Sequence, residues 1–85
     1  MKCIEYTIRD ALGIHARPAG MLVKEASKFT AEIRVHCKGK EGDAKKILSL
    51  MSLAAKEGDR MEITVEGPDE ETAAAVLEKF MRENL

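Results

Sequence analysis

Residues 31–38 read AEIRVHCK, and apolar and polar side chains alternate along the whole stretch. Such alternation is typical of a β-strand with one buried and one wet face. The apolar side chains are those of Ala31, Ile33, Val35 and Cys37, and the polar ones are those of Glu32, Arg34, His36 and Lys38. A sheet of such strands needs helices on one of its faces only.

Two further segments show the same alternation, residues 2–9 (KCIEYTIR) and residues 60–66 (RMEITVE). Both are therefore predicted to be half-buried strands. The turn at residues 38–40 precedes a short, weakly marked strand that is expected to reach Gly42. Four strands in all are predicted.

Between the strands the apolar period becomes helical. Ala19, Leu22, Val23 and Ala26 lie at i, i+3, i+4 and i+7 of a helix that begins near residue 16. A second helix is predicted over residues 44–57, and a third has the acidic residues 69–71 in its first turn. The order β-α-β-β-α-β-α predicts an α+β fold, a two-layer open-faced sandwich. Its mainly antiparallel four-stranded sheet is covered on one face by three helices.

Composition limits the size and the partners of the protein. The 85 residues are expected to form a single domain, 1–85. Lys plus Arg number 14 and Asp plus Glu 15, so the net charge of −1 argues against a nucleic-acid partner. The longest uncharged stretch, residues 47–55, is far short of the roughly 20 residues of a membrane span. We expect a cytoplasmic protein without signal peptide or membrane insertion.

The two cysteines are not expected to pair. Cys3 lies on the polar face of its predicted strand and Cys37 on the apolar face, and opposite faces of a sheet cannot be bridged without distortion. Neither the cysteines nor His15 and His36 show a metal-ligand spacing, so no metal and no cofactor is predicted.

One segment, residues 13–19 (GIHARPA), departs from ordinary packing patterns. Gly13 allows a sharp loop, and His15 then lies near the N-cap of the first helix. Pro18 falls in the first turn, where its missing N–H costs nothing. The main-chain N–H groups of Ala16 and Arg17 are therefore expected to point outward beside the imidazole.

This arrangement suits a phosphoryl group. The positive end of the helix favours the neutral imidazole, whose free lone pair is a nucleophile. A phosphoryl group on that nitrogen would meet the N–H groups of Ala16 and Arg17 and the guanidinium of Arg17. From the spacing alone, a surface histidine without any chemical role is the more common case, because a helix start permits phosphoryl chemistry without requiring it.

The segment 13–19 resembles the active-site signature of HPr, the histidine-containing phosphocarrier family of the bacterial phosphotransferase system. Three other segments resemble the same family: residues 25–33 (EASKFTAEI), 44–59 (AKKILSLMSLAAKEGD) and 65–80 (VEGPDEETAAAVLEKF). The resemblance runs over essentially the whole chain. The family's element order is also β-α-β-β-α-β-α.

The resemblance implies a carrier rather than an enzyme that turns over alone. His15 would accept a phosphoryl group on Nδ1 from enzyme I, which takes it from phosphoenolpyruvate. It would pass the group to an EIIA-type component for sugar uptake, and Arg17 would assist the phosphorylated state.

A docking surface for these partners is implied as well. We use this name for six residues: Gly20, Met21, Lys24, Ile47, Leu48 and Met51. Lys45 and Lys46 are expected on its rim, and Leu50 and residues 53–54 are expected to face the core. For each apolar member, core packing is the alternative, because helical spacing does not settle which turn faces outward.

The chain departs from the family at Lys46, where many Gram-positive members have a regulatory serine; no regulatory serine is therefore predicted. Lysine is a poor N-cap, so Asp43 is expected to cap the second helix instead. Two alternatives stay open. One is a carrier of the nitrogen-related branch, and the other is a regulatory protein-binding module on the same fold that relays no phosphate.

Overall fold

The computed structural model describes all 85 residues and confirms the predicted order of elements. The strands are β1 (Lys2–Thr7), β2 (Glu32–Cys37), β3 (Lys40–Asp43) and β4 (Arg60–Glu66). The helices are α1 (Ala16–Ala26), α2 (Ile47–Met51) and α3 (Glu70–Asn84). The α+β class and the open-faced sandwich are confirmed. None of the helices combines the length and the apolarity needed to cross a bilayer.

The sheet is antiparallel throughout, with strand order β1-β4-β2-β3. Ile4 pairs with Ile63, and Ile63 pairs with Val35, so one apolar row crosses three strands on the inner face. The next row, on the outer face, runs from Glu5 through Glu62 and His36 to Glu41. The alternation along each strand thus separates a core face from a charged face, as the sequence predicts.

The helices cover the apolar face only. Leu22 of α1, Leu50 of α2 and Leu77 of α3 are each at most 2% exposed and pack into one core with the sheet. Burying a leucine side chain contributes about 1.5–3 kcal/mol, so these contacts hold the two layers together. Cys37 lies in this core and Cys3 is exposed on the other side of the sheet.

The prediction of a long second helix over residues 44–57 was wrong. The helix is only five residues, Ile47–Met51, because turns bound it at both ends. Before it, Asp43 Oδ1 accepts a hydrogen bond from the Lys45 N–H at 2.9 Å and its carbonyl accepts one from the Lys46 N–H at 3.1 Å. After it, Ala54 has a φ of 51°, which stops helical propagation.

Two details of that region were also wrong. Asp43 does not cap α2, because its carboxylate closes a local turn; Lys46 is the N-cap, with no side-chain cap hydrogen bond. Ala54 does not face the core: it is exposed, and the next residue, Ala55, is buried instead. Because the left-handed residue Ala54 interrupts the helical repeat, the position that faces the core shifts by one residue, to Ala55.

The start of α3 differs slightly from the prediction as well. Asp69 is the N-cap and not part of the first turn. Its carboxylate accepts hydrogen bonds from the N–H groups of Thr30 at 2.8 Å and Ala31 at 2.9 Å. These hydrogen bonds hold the pKa of Asp69 below its usual range. Asp69 thus joins the start of α3 to the chain just before β2.

Candidate functional site

The loop before α1 is held tightly against residues 55–56. Gly13 has a φ of +67°, and a Cβ there would lie 2.6 Å from Cα of Lys56 and overlap the Ala55 carbonyl. The N–H of Ile14 donates to the Ala55 carbonyl at 2.9 Å. Asp10 closes the other side of the loop, because its Oδ1 accepts from the Leu12 N–H at 2.9 Å. The main chain leading to His15 is therefore fixed from two directions.

His15 is the N-cap residue of α1, with extended backbone at φ −124° and ψ −173°. Its carbonyl accepts the first intrahelical hydrogen bond, from the Ala19 N–H at 2.9 Å. Its half-exposed side chain makes no capping hydrogen bond. The imidazole consequently remains available to a group that approaches from solvent.

The start of α1 presents unused donors, as the sequence predicts. The N–H groups of Ala16 and Arg17 donate to no protein acceptor, and both residues are exposed. Pro18 has no N–H and is buried. The first turn of this 11-residue helix contains no acidic residue that would offset its positive end. An anion beside His15 would be favoured by both features.

A shallow depression of about 270 Å³ surrounds the imidazole. Its lining includes His15, Arg17 and Pro18 from the predicted segment, together with Met21. Its remaining lining residues, Asp10 and Asn84, were missed by the sequence analysis. No local signal marks Asn84, which lies at the far end of α3.

The end of α3 reaches the depression because it is bound to the residues before the loop. The Leu85 main-chain oxygen accepts hydrogen bonds from the N–H groups of Arg9 at 2.6 Å and Asp10 at 2.8 Å. The Arg9 guanidinium also donates to the carbonyl of Arg82 at 3.0 Å. Asn84 is thereby placed beside His15.

The six residues expected to form the docking surface lie around the contact of α1 with α2. Met21, Ile47 and Met51 are each about 40% exposed and Leu48 is 79% exposed, which is unusual for side chains of this size. Gly20 lies against Ile47, since a Cβ on Gly20 would be 3.6 Å from Ile47 Cδ1. The α1 and α2 members of the surface are therefore adjacent.

Positively charged side chains lie around part of this surface. Arg17, Lys24 and Lys46 are exposed, and none of them forms an ion pair. Lys45, also expected on the rim, is half-buried, and its ammonium donates to the Phe29 carbonyl at 2.7 Å. The other histidine, His36, lies on the charged sheet face, 3.5 Å from Glu41 Oε1 and away from the site.

Comparisons with known proteins agree with this geometry. The model of the family described as "PTS HPr component phosphorylation site" matches residues 2–83. Phosphocarrier protein HPr of Mycoplasma pneumoniae is 48% identical over 84 residues, with 93% of this chain and 96% of that protein covered. Its counterpart in Mycoplasma genitalium is 44% identical over 85 residues, covering 99% and 97% of the two chains.

A solved structure shows the same similarity in three dimensions. It is a mycoplasma histidine-containing phosphocarrier protein that is 35% identical and superposes with a TM-score of 0.94. The match covers 96% of this chain and 93% of that one. Both the sequence match and the superposition extend over nearly the whole length. The chain therefore belongs to the HPr family, the phosphocarrier proteins of the phosphotransferase system.

Proposed function

We propose that this chain accepts a phosphoryl group on His15 from enzyme I, charged by phosphoenolpyruvate, and passes it in the cytoplasm to an EIIA-type component for sugar uptake. The observation that carries the proposal is the position of His15. Its half-exposed imidazole stands at the start of α1, beside the unused N–H groups of Ala16 and Arg17. A dianionic phosphoryl group is the kind of ligand that such donors stabilise.

The transfer step follows from the chemistry of a neutral imidazole. The Nδ1 lone pair attacks phosphorus, and the new N–P bond forms as the bond from phosphorus to the donor's leaving atom breaks. The proton on Nε2 stays in place. The reverse displacement by a nucleophile of the acceptor releases the imidazole, so the chain returns unchanged and acts as a carrier.

Arg17 contributes to this step through its charge. Its guanidinium has no ion-pair partner, and the residue lines the same depression as the imidazole. A guanidinium there attracts the phosphoryl oxygens in both the donor complex and the phosphorylated chain.

The docking surface brings partners to His15. Its exposed apolar members can be covered transiently, and Arg17, Lys24 and Lys46 favour partners with acidic groups at matching positions. Transient complexes suit a carrier, which must leave one partner before it meets the next. We therefore expect enzyme I and EIIA-type proteins to use overlapping parts of this surface.

The test is ³¹P NMR of the chain after incubation with enzyme I and phosphoenolpyruvate. We expect one new phosphohistidine signal, labile to acid and stable to base, that is absent from His15→Ala. The variant His36→Ala is the matched control, because His36 lies on the charged sheet face, and it should still be phosphorylated. Phosphate on His15→Ala at the level of the parent chain would refute the proposal.

The acceptor is tested in the same sample. Loss of the ³¹P signal on addition of a sugar-type EIIA supports the sugar branch, and loss only with a nitrogen-type acceptor supports the nitrogen-related branch. The third outcome is that the chain is never phosphorylated, and that the parent chain and His15→Gln bind the partner proteins equally well. The chain would then be a regulatory binding module.

A further inference from the structure

Residues 54–59 lie in the connection between α2 and β4 and contact both ends of the loop before α1, residues 8–15. The Ala55 carbonyl accepts the Ile14 N–H at 2.9 Å, immediately before His15. At the other end of the segment, the Gly58 N–H donates to the Ile8 carbonyl at 2.9 Å. A shift of this segment would therefore move the loop that carries the imidazole.

A side chain from a different part of the sheet holds this segment at both ends. Lys38, in the turn between β2 and β3, donates from its ammonium to the Ala54 carbonyl at 3.0 Å. The same ammonium lies 2.9 Å from Oδ2 of Asp59. Asp59 Oδ2 in turn accepts the Lys56 N–H at 2.8 Å. Lys38 thus joins Ala54 to Asp59 across the segment.

The charge on Asp59 is secured by this contact. The hydrogen bond from Lys38 is the main reason that the pKa of Asp59 is lowered from its ordinary value, and the Lys56 N–H adds to it. The lowered pKa favours the ionised carboxylate, which is the form that binds the Lys38 ammonium.

Ala54 is the residue that needs to be held. Its φ of 51° lies in the left-handed region, which is unfavourable for a residue with a Cβ. Such a conformation persists only where the surroundings impose it. The Lys38 ammonium binds the carbonyl of this residue, three positions after the last residue of α2, Met51. Lys38 therefore acts at the point where α2, which carries part of the docking surface, continues into residues 54–59.

We propose that Lys38 is a positioning residue for phosphoryl transfer: it fixes residues 54–59 and, through the hydrogen bond between Ala55 and Ile14, orients His15 relative to the docking surface. The inference rests on the proposed transfer at His15. Lys38 itself touches neither the imidazole nor the depression around it.

The test compares Lys38→Met, which keeps most of the length of the side chain and loses its charge, with Lys40→Met. Lys40 is the first residue of β3, directly after the same turn, and its side chain makes no hydrogen bond or ion pair. It is therefore the matched control. We expect Lys38→Met to lower kcat for phosphorylation by enzyme I roughly three- to tenfold without raising KM. Lys40→Met should leave both unchanged, and Lys38→Arg should restore most of kcat.

NMR separates positioning from general stability. In Lys38→Met, the Ile14 amide and the His15 ring resonances should move, and they should stay in place in Lys40→Met. A core variant away from the loop, Ile63→Val, serves as a second control with lowered stability. If Ile63→Val reduces kcat as much as Lys38→Met does at equal loss of stability, the positioning role is refuted.

The two proposals fail in different ways. If the parent chain takes no phosphoryl group from enzyme I, the proposed function fails, and the NMR arm still reports whether Lys38 orients His15. If the parent is phosphorylated but the Ile14 and His15 resonances of Lys38→Met do not move, the proposed function stands and the role of Lys38 is refuted.

Discussion

The N–H of Ile14 donates a 2.9 Å hydrogen bond to the carbonyl of Ala55, so the residue before His15 is bound to the segment that follows α2. Gly13, next to it, has no space for a side chain on that side. This hydrogen bond and a few residues of main chain therefore link the exposed face of α2 to the imidazole. This contact makes the position of His15 depend on residues 40 positions away in the chain.

We expect Gly13→Ala to lower the free energy of unfolding by roughly 2–4 kcal/mol, because alanine is unfavourable at positive φ and its Cβ would overlap the backbone of residues 55–56. Urea denaturation measures the loss. Gly39→Ala is the control: Gly39 also has a positive φ, but a Cβ there meets nothing within 4 Å. That control should lose only about 1–2 kcal/mol. Equal losses for the two variants would mean that the close approach to Ala55 has no effect.

Gly20→Ala should have the opposite sign. A Cβ on Gly20 makes only an ordinary contact with Ile47, at 3.6 Å, and alanine favours the interior of a helix. We expect a gain of about 0.5–1 kcal/mol in unfolding free energy, measured by thermal or urea unfolding. Gly42→Ala is the comparison, since its Cβ would lie 2.9 Å from the Ser49 carbonyl, and it should be destabilised. A loss of stability in Gly20→Ala would show that α1 and α2 pack more tightly than this contact indicates.

Leu48→Asp should weaken partner binding without unfolding the protein. Leu48 is 79% exposed, so its replacement should change stability by no more than about 0.5 kcal/mol. We expect KM for phosphorylation by enzyme I to rise about tenfold, with kcat nearly unchanged, because only docking is impaired. The control is Ala75→Asp on the exposed face of α3, which adds the same charge away from the docking surface. Identical kinetics for these two variants would place the partner elsewhere.

Asp69 should make stability depend on pH in the acid range. Its pKa in the folded chain is lowered, chiefly by the Thr30 N–H, from an ordinary value of 3.8. A carboxyl whose pKa is lowered by folding stabilises the fold above its unfolded pKa, and this contribution is lost as pH falls through the folded pKa. Stability should therefore fall below about pH 4 in the parent chain, and less steeply in Asp69→Asn. Urea midpoints at pH 7, 4 and 2.5 measure this.

A control distinguishes this effect from general acid denaturation. Glu71 is exposed, with only a 3.7 Å ion pair to Lys2, so Glu71→Gln should follow the parent curve at each pH. The assignment to Asp69 would be wrong if Asp69→Asn and the parent lost stability in parallel as the pH falls.

Much of the fold was predictable because its strands and two longer helices carry their periods locally. The alternation in residues 31–38 gave the correct face of β2, and residues 13–19 gave the start of α1 with His15 at its N-cap. The length of α2 was not predictable in this way. Residues 44–57 have helical composition, but the turn around Asp43 and the left-handed Ala54 confine the helix to five residues.

The residues around His15 likewise fall into two groups: those placed by local helix geometry and those placed by contacts between distant parts of the chain. Arg17 and the N–H groups of residues 16–17 are near His15 in the chain, so helix geometry places them. Asp10 and Asn84 reach the depression only because Leu85 binds the main chain of Arg9 and Asp10. Sequence separation hides such contacts, since nothing in the composition of α3 indicates which loop its last turn will meet.

By itself, the amino-acid order determined which side chains of the strands lie inward, where the strands run and which histidine stands at a helix start, because these depend on neighbours within about one or two turns of backbone. Folding decided where α2 stops, which residues complete the depression, and how Lys38 comes to hold Ala54 and Asp59. Those contacts join residues far apart in the chain, and they form only when the packing of the whole core brings the segments together.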